Sequence, residues 1–145
     1  MSGYKSILVA VDLSDESALI LDKARELAEL YQAELSLVHV MEPIAVGYAV
    51  EVTSVDIEGL HAEATKHSRQ TLLELGAKVG VPEPRLHNVL GQPAREIREL
   101  AKKLGTDLIV MGGHGKQGWE LLFGSTSSGV SHGSPCDLMI VRMPD

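Results

Sequence analysis

The sequence predicts an α/β fold: a single doubly wound domain with a five-stranded parallel sheet and helices on both faces. Three observations predict it. Apolar, β-branched runs alternate with amphipathic segments along the chain, the pattern of repeated strand–helix crossovers. The apolar material is aliphatic: 44% of residues are hydrophobic, yet there are one Trp, one Phe and three Tyr, which suits buried parallel strands covered by helices. The length of 145 residues is about that of one domain with a full core, so residues 1–145 read as one unit without linker or internal repeat.

The elements follow in order. Residues 6–11 (SILVAV) form a continuous apolar run that stops at Asp12, a buried first strand. Ser14 is the expected N-cap of the next helix, with Asp15 and Glu16 in its first turn, where the helix dipole favours acids. That helix covers residues 18–31, with Leu21, Ala24, Leu27, Ala28 and Tyr31 along one face. Residues 34–41 (ELSLVHVM) form the second strand, and residues 42–56 read as an irregular flap or contact surface. A long helix over residues 57–80 closes on Gly80. The alternating stretch 85–91 is a third strand, nearer an edge. Gly91 and Pro93 turn the chain into a helix with Ala94, Ile97, Leu100, Ala101 and Leu104 at helical spacing. Residues 107–111 (DLIVM) form the fourth strand, about 125–132 a last helix, and 137–143 (DLMIVRM) the fifth strand.

Composition narrows the partners. The net charge is −7 and no basic run occurs, which argues against nucleic acid or an anionic membrane surface. A single cysteine, Cys136, excludes an intramolecular disulfide and fits a reducing compartment; it reads as a small buried hydrophobe. The N-terminal stretch MSGYKSILVAVDLS has too short an apolar run for a signal peptide or a span. A soluble, cytoplasmic domain is expected. His61 and His67 stand six apart on one helix and point in nearly opposite directions, so they make no metal pair. No nucleophile with a base and an orienting group is evident, so dedicated catalysis is not expected.

The chemistry concentrates in MGGHGKQGWELLFGSTSSG (111–129), which holds six of the fourteen glycines. A glycine loop between a buried strand and a Ser/Thr-rich helix start suits a phosphate. A Walker A loop fails, because Gln117 follows Lys116 where a hydroxyl residue is needed and Val110 replaces the first glycine. Gly113, Gly115 and Gly118 spell G-x-G-x-x-G, but Asp137, at about the offset of the ribose-binding acid, begins a strand rather than ending one. Ligands on open α/β sheets lie beyond the carboxyl ends of strands, where strand order reverses. Asp12 ends strand one and the glycine loop follows strand four. If those strands are neighbours, the two face each other.

The stretches ILVAVDLSDES, LSLVHV, GQPAREIRELAKKLGTDLIVMGGHG and GSTSSGVSHGSPCDLMIVR resemble the universal stress protein family, in order and along nearly the whole chain. The resemblance implies an adenine nucleotide alpha hydrolase-like fold. It also implies a G-x2-G-x9-G-[ST] nucleotide loop, which carries over to Gly112, Gly115, Gly124 and Ser125. Ala10, Val11 and Asp12 at the end of strand one, and Val40 at the end of strand two, fall where the family packs adenine and ribose. Met111, Lys116 as a phosphate counter-charge, and Thr126 complete the candidate contacts. The implied ligand is ATP or AMP, with Mg2+ helping to neutralise the phosphates of ATP, and the implied role is regulatory or protective, any hydrolysis being slow. The implied partner is a second copy, through strand 137–142. One departure stands out. Eight residues, Lys116 to Phe123, separate Gly115 from Gly124, where the motif has nine. Eight resembles the spacing of the subgroup typified by the enterobacterial proteins, which have lost the glycines and are thought not to hold ATP. A nucleotide-binding dimer and a nucleotide-free interaction dimer of the same fold both remain open.

Overall fold

Five aliphatic runs become five strands in the computed structural model, which describes residues 3–43, 57–113 and 129–142. They are β1 (Ser6–Ala10), β2 (Glu34–Met41), β3 (Leu86–Leu90), β4 (Leu108–Gly113) and β5 (Asp137–Arg142), all parallel, in the spatial order β3-β2-β1-β4-β5. Between them run α1 (Ser17–Tyr31), α2 (Ile57–Val79) and α3 (Pro93–Leu104), with a short 3-10 turn at Glu83–Arg85. The chain builds outward from β1 to β2 and β3, then crosses back to lay β4 on the other side of β1. Strand order therefore reverses between β1 and β4, the neighbours that the sequence reading required.

Residue alternation sorts the core into two layers. Ile7, Val9 and Val11 meet Leu35, Leu37, Leu108 and Val110 with Ile20, Leu21, Ala24 and Ala28 of α1 and Leu72 of α2. On the other face Leu8, Val38, Ile109 and Met111 meet Ala94, Ile97 and Ala101 of α3, together with Val130. Helices on both faces make the sheet doubly wound, as predicted.

The expected boundaries of β2, α2 and α3 hold to within a residue. Gly80, at φ 73°, and Gly105, at φ 67°, take the left-handed position just past α2 and α3, where a side chain would strain the backbone. Gln92 caps α3 by accepting from the Arg95 N–H at 2.7 Å, with Pro93 opening the helix. The 125–132 helix is seen where it is described, at Gly129–Ser131; residues 125–128 lie outside the described residues, as do 44–56 of the expected flap.

Three expectations need correction. Ser14 is not the cap of α1: Glu16 occupies the N-cap position without a side-chain cap bond, and no acid falls in the first turn. Ser14, Asp15 and Glu16 instead form the turn before the helix, with the Ser17 N–H on the Ser14 carbonyl at 3.0 Å. Tyr31 leaves the predicted apolar face and packs edge-on against Tyr4, ring centroids 5.3 Å apart. Finally, β4 runs past Met111 to take in Gly112 and Gly113, because β5 supplies ladder partners in Val141 and Arg142. The first glycines of the loop are strand residues.

Candidate functional site

The carboxyl ends of β1 and β4 meet at the reversal point. Val9 is in register with Val110, and continuing that register by one residue sets Ala10 beside Met111. On its other side Ala10 pairs with Val38 of β2, and Val40 lies two residues further along the same strand. The candidates from three strand ends thus stand side by side at the carboxyl edge of the sheet.

Their side chains do not all face it. Val11 is 5% exposed and Met111 6%, on opposite faces of the sheet in the two core layers. These two can offer a ligand only backbone groups, and the Val11 N–H is already held by the Val38 carbonyl at 2.9 Å. Ala10, Val40 and Gly112 are half-buried, and Gly112 brings bare backbone to the end of β4. Gly115, Lys116, Gly124, Ser125 and Thr126 lie outside the described residues.

Asp12 is exposed just past the end of β1. Leu13 turns the chain with φ 66°, folding it back so that Asp12 Oδ1 accepts from Ser14 N at 3.0 Å, Ser14 Oγ at 2.6 Å and Ser17 Oγ at 3.3 Å. The aspartate thus closes the turn before α1 and ties it to the Ser17 hydroxyl, while accepting from no backbone N–H of the helix itself. Partial burial pushes its carboxyl pKa up, but the bonds from Ser14 and Ser17 outweigh this and hold it below the ordinary value. Asp12→Ala removes these hydrogen bonds and is expected to cost about 1 kcal/mol of stability, measured by urea unfolding at neutral pH. Because the folded pKa is the lower one, this contribution is complete above the unfolded value, about 3.9, and is lost as pH falls through the folded value. The gap between wild type and variant should close in that acid range; a gap undiminished at about pH 2 would mean that the carboxylate charge plays no part.

The far end of the glycine segment is held on the α3 side. Arg98 Nη1 donates to the Gly129 carbonyl, Gly129 lies against Ala94, and Val130 is fully buried. The sequence reading missed this anchor, for which the spacing of Ala94 and Arg98, one helical turn apart on α3, is the available signal.

Elsewhere, an open depression of about 650 Å³ lies at the amino end of the sheet, bordered by Tyr4, Tyr31, Asp107, Cys136 and Asp137. Tyr4 donates its hydroxyl to Asp137 Oδ2 at 2.9 Å. Cys136 is half-buried against the α3 layer, and burial pushes its thiol pKa up, away from reactivity. Burial, then the charge of Lys103, lowers the His87 pKa. Among the described residues no group of three or more His, Cys, Asp or Glu could hold a metal ion, and no helix is long and apolar enough to cross a membrane.

Comparison with known proteins bears on these features. The profile of the universal stress protein family matches residues 3–142. Universal stress protein A homolog 1 of Coxiella burnetii is 38% identical over 142 residues, covering 98% of this chain and 99% of the relative. Among solved structures, a universal stress protein in complex with cAMP aligns with a TM-score of 0.67 at 24% identity, covering 97% of this chain and 98% of that one. The universal stress protein from Archaeoglobus fulgidus in complex with dAMP aligns at 0.59 and 22%, covering 97% and 99%. The fold is the adenine nucleotide alpha hydrolase-like one. With the family profile matched over residues 3–142 and a relative 38% identical over nearly the full length of both chains, the chain belongs to the universal stress protein family.

Proposed function

We propose that this stress protein binds an adenine nucleotide, ATP or AMP, in the crevice between β1 and β4, and acts as a cytoplasmic homodimer in a regulatory or protective role. The observation that carries the reading is the reversal of strand order between β1 and β4, the preferred ligand position of such sheets. Asp12 stands on one side of it and the strand leading into the glycine segment on the other. Neighbours of the same fold in complex with cAMP and dAMP support the ligand class. Asp12 would accept from ribose hydroxyls, its serine bonds being exchangeable at an exposed position. Gly112, Gly115, Gly124, Ser125 and Thr126 would present amides and hydroxyls to phosphates, with Lys116 as counter-charge and Mg2+ accompanying ATP. Turnover is not the role proposed; a rate above roughly 1 s⁻¹, the low end for ordinary enzymes, would overturn that part.

The dimer rests on β5. It is an edge strand with one neighbour among the described residues, and Leu138 to Val141 are half-exposed along it. An apolar open edge is an aggregation hazard that pairing with a twin removes.

Calorimetry with ATP and AMP tests the site, on wild type and on Gly115→Val combined with Gly124→Val. A dissociation constant near ~10 μM, about −7 kcal/mol, abolished in the double variant, is expected. No heat up to millimolar nucleotide, with light scattering still reporting a dimer, would favour the nucleotide-free interaction dimer that the eight-residue spacing from Lys116 to Phe123 allows.

A further inference from the structure

Below α2, on the face of β2 and β3 that continues from Leu35 and Leu37, the apolar core gives way to a polar cluster around one sulfur. Thr65 Oγ1 lies 3.6 Å from Met41 Sδ, Ser68 Oγ 3.4 Å and Asn88 Nδ2 3.6 Å. The donors come from two elements, α2 and β3, and converge on the last residue of β2. The Asn88 amide is oriented by its partners. His39, its register partner on β2, donates from Nδ1 to Asn88 Oδ1 at 2.9 Å in the tautomer protonated there. This turns the amide nitrogen toward Ser68 Oγ, at 2.9 Å, and the sulfur. Ser68 is 5% exposed, so its hydroxyl depends on protein partners.

A thioether is a weak acceptor and normally packs among apolar groups. The sulfur is the weakest acceptor these donors reach: Ser68 Oγ also donates to the Thr65 carbonyl at 3.2 Å, Asn88 Nδ2 also donates to Ser68 Oγ, and Thr65 is exposed to water. A stronger acceptor at the sulfur would meet donors already in place around it, and one oxidation step supplies that acceptor. We propose that Met41 is a modification site, oxidised reversibly to the sulfoxide, with Thr65, Ser68 and Asn88 as a preformed cradle for the sulfoxide oxygen. The co-reactant is a peroxide. One peroxide oxygen bonds to Sδ, the O–O bond breaks, sulfur gives up two electrons, and the other oxygen leaves as water when the peroxide is H2O2. Methionine sulfoxide is restored by reductases. Met41 is partly exposed at the strand end, so peroxide can reach it. Its flexible chain needs to withdraw by only roughly 1 Å to bring the new oxygen to hydrogen-bond distance.

The other described methionines lack such a cradle. Met111 sits in the α3 layer and Met139 against the opposite one, both among apolar side chains, where a sulfoxide oxygen would be buried without donors.

The test uses the full chain treated with graded H2O2, with sites of oxygen gain mapped by peptide mass spectrometry and melting followed on the treated protein. The expected result is selective oxidation of Met41 with the melting temperature unchanged or raised. In Thr65→Val combined with Ser68→Ala, the same modification should lower it by roughly 3 °C or more. Met41 remaining reduced while Met111 or Met139 reacts, or an equal drop in both proteins, would overturn the proposal. Should that double variant fail to fold, Met41→Gln and Met41→Leu decide without oxidant. Glutamine places a strong acceptor near the sulfoxide position, so Met41→Gln should melt no lower than Met41→Leu; the reverse order would sink the cradle.

Discussion

Truncating Leu37 to alanine is expected to lower the unfolding free energy by about 3 kcal/mol, within the range for buried leucines. Leu37 is fully buried. It stands mid-strand in β2, in register with Val9 of β1 and Leu86 of β3, in the layer that also holds apolar side chains of α1 and α2. Its removal leaves a cavity walled by backbone ladders on two sides, which cannot collapse to fill it. Urea unfolding should show a lower midpoint at unchanged slope, and melting a drop of roughly 6–12 °C. Leu30 provides the control: it is 72% exposed on α1, and Leu30→Ala should stay within about 0.5 kcal/mol of wild type. Similar losses for the two would mean that the β2 layer is not the core described.

The second large effect concerns a glycine whose removal ought, on helix propensity alone, to help. Gly129 is helical, and alanine is better than glycine in a helix interior by about 1 kcal/mol. A Cβ at position 129 would, however, stand 2.6 Å from the Cβ of Ala94. That atom is fixed directly to the α3 backbone and cannot swing aside. The two helices must part, an overpacking cost of about 1–3 kcal/mol that also disturbs the Arg98 bond to the Gly129 carbonyl. Gly129→Ala is therefore expected to destabilise by about 1–2 kcal/mol net. Adding Ala94→Gly should recover more than the two single changes predict by addition, with a coupling of about 1 kcal/mol. A more stable Gly129→Ala would show that the helices are not in close contact there.

The legible parts of this fold are those whose signals are local. The run from Glu34 to Met41 announces β2 to the residue, and Gln92–Pro93 with Gly105 mark both ends of α3. Around α1 the signals compete: Asp12, Ser14, Asp15, Glu16 and Ser17 are all plausible turn or cap residues. Leu13 decides between them by adopting a left-handed conformation that a leucine does not advertise. Gly112 and Gly113 look like loop because glycine is a poor strand former; strand pairing from β5 overrides that preference. Within the candidate site, Asp12 and the strand ends are readable from where apolar runs stop. The inward turn of Val11 and Met111 depends on which face each strand presents. The cradle at Met41 is beyond local reading, since His39, Ser68 and Asn88 meet only through the β2–β3 register and the path of α2.

Gly113, the last residue of β4, is paired to Arg142, and Gly129 and Val130 are held against α3. Both ends of the intervening stretch are thus tethered by the same folded body before any ligand arrives. The entropy of bringing those ends together belongs to folding.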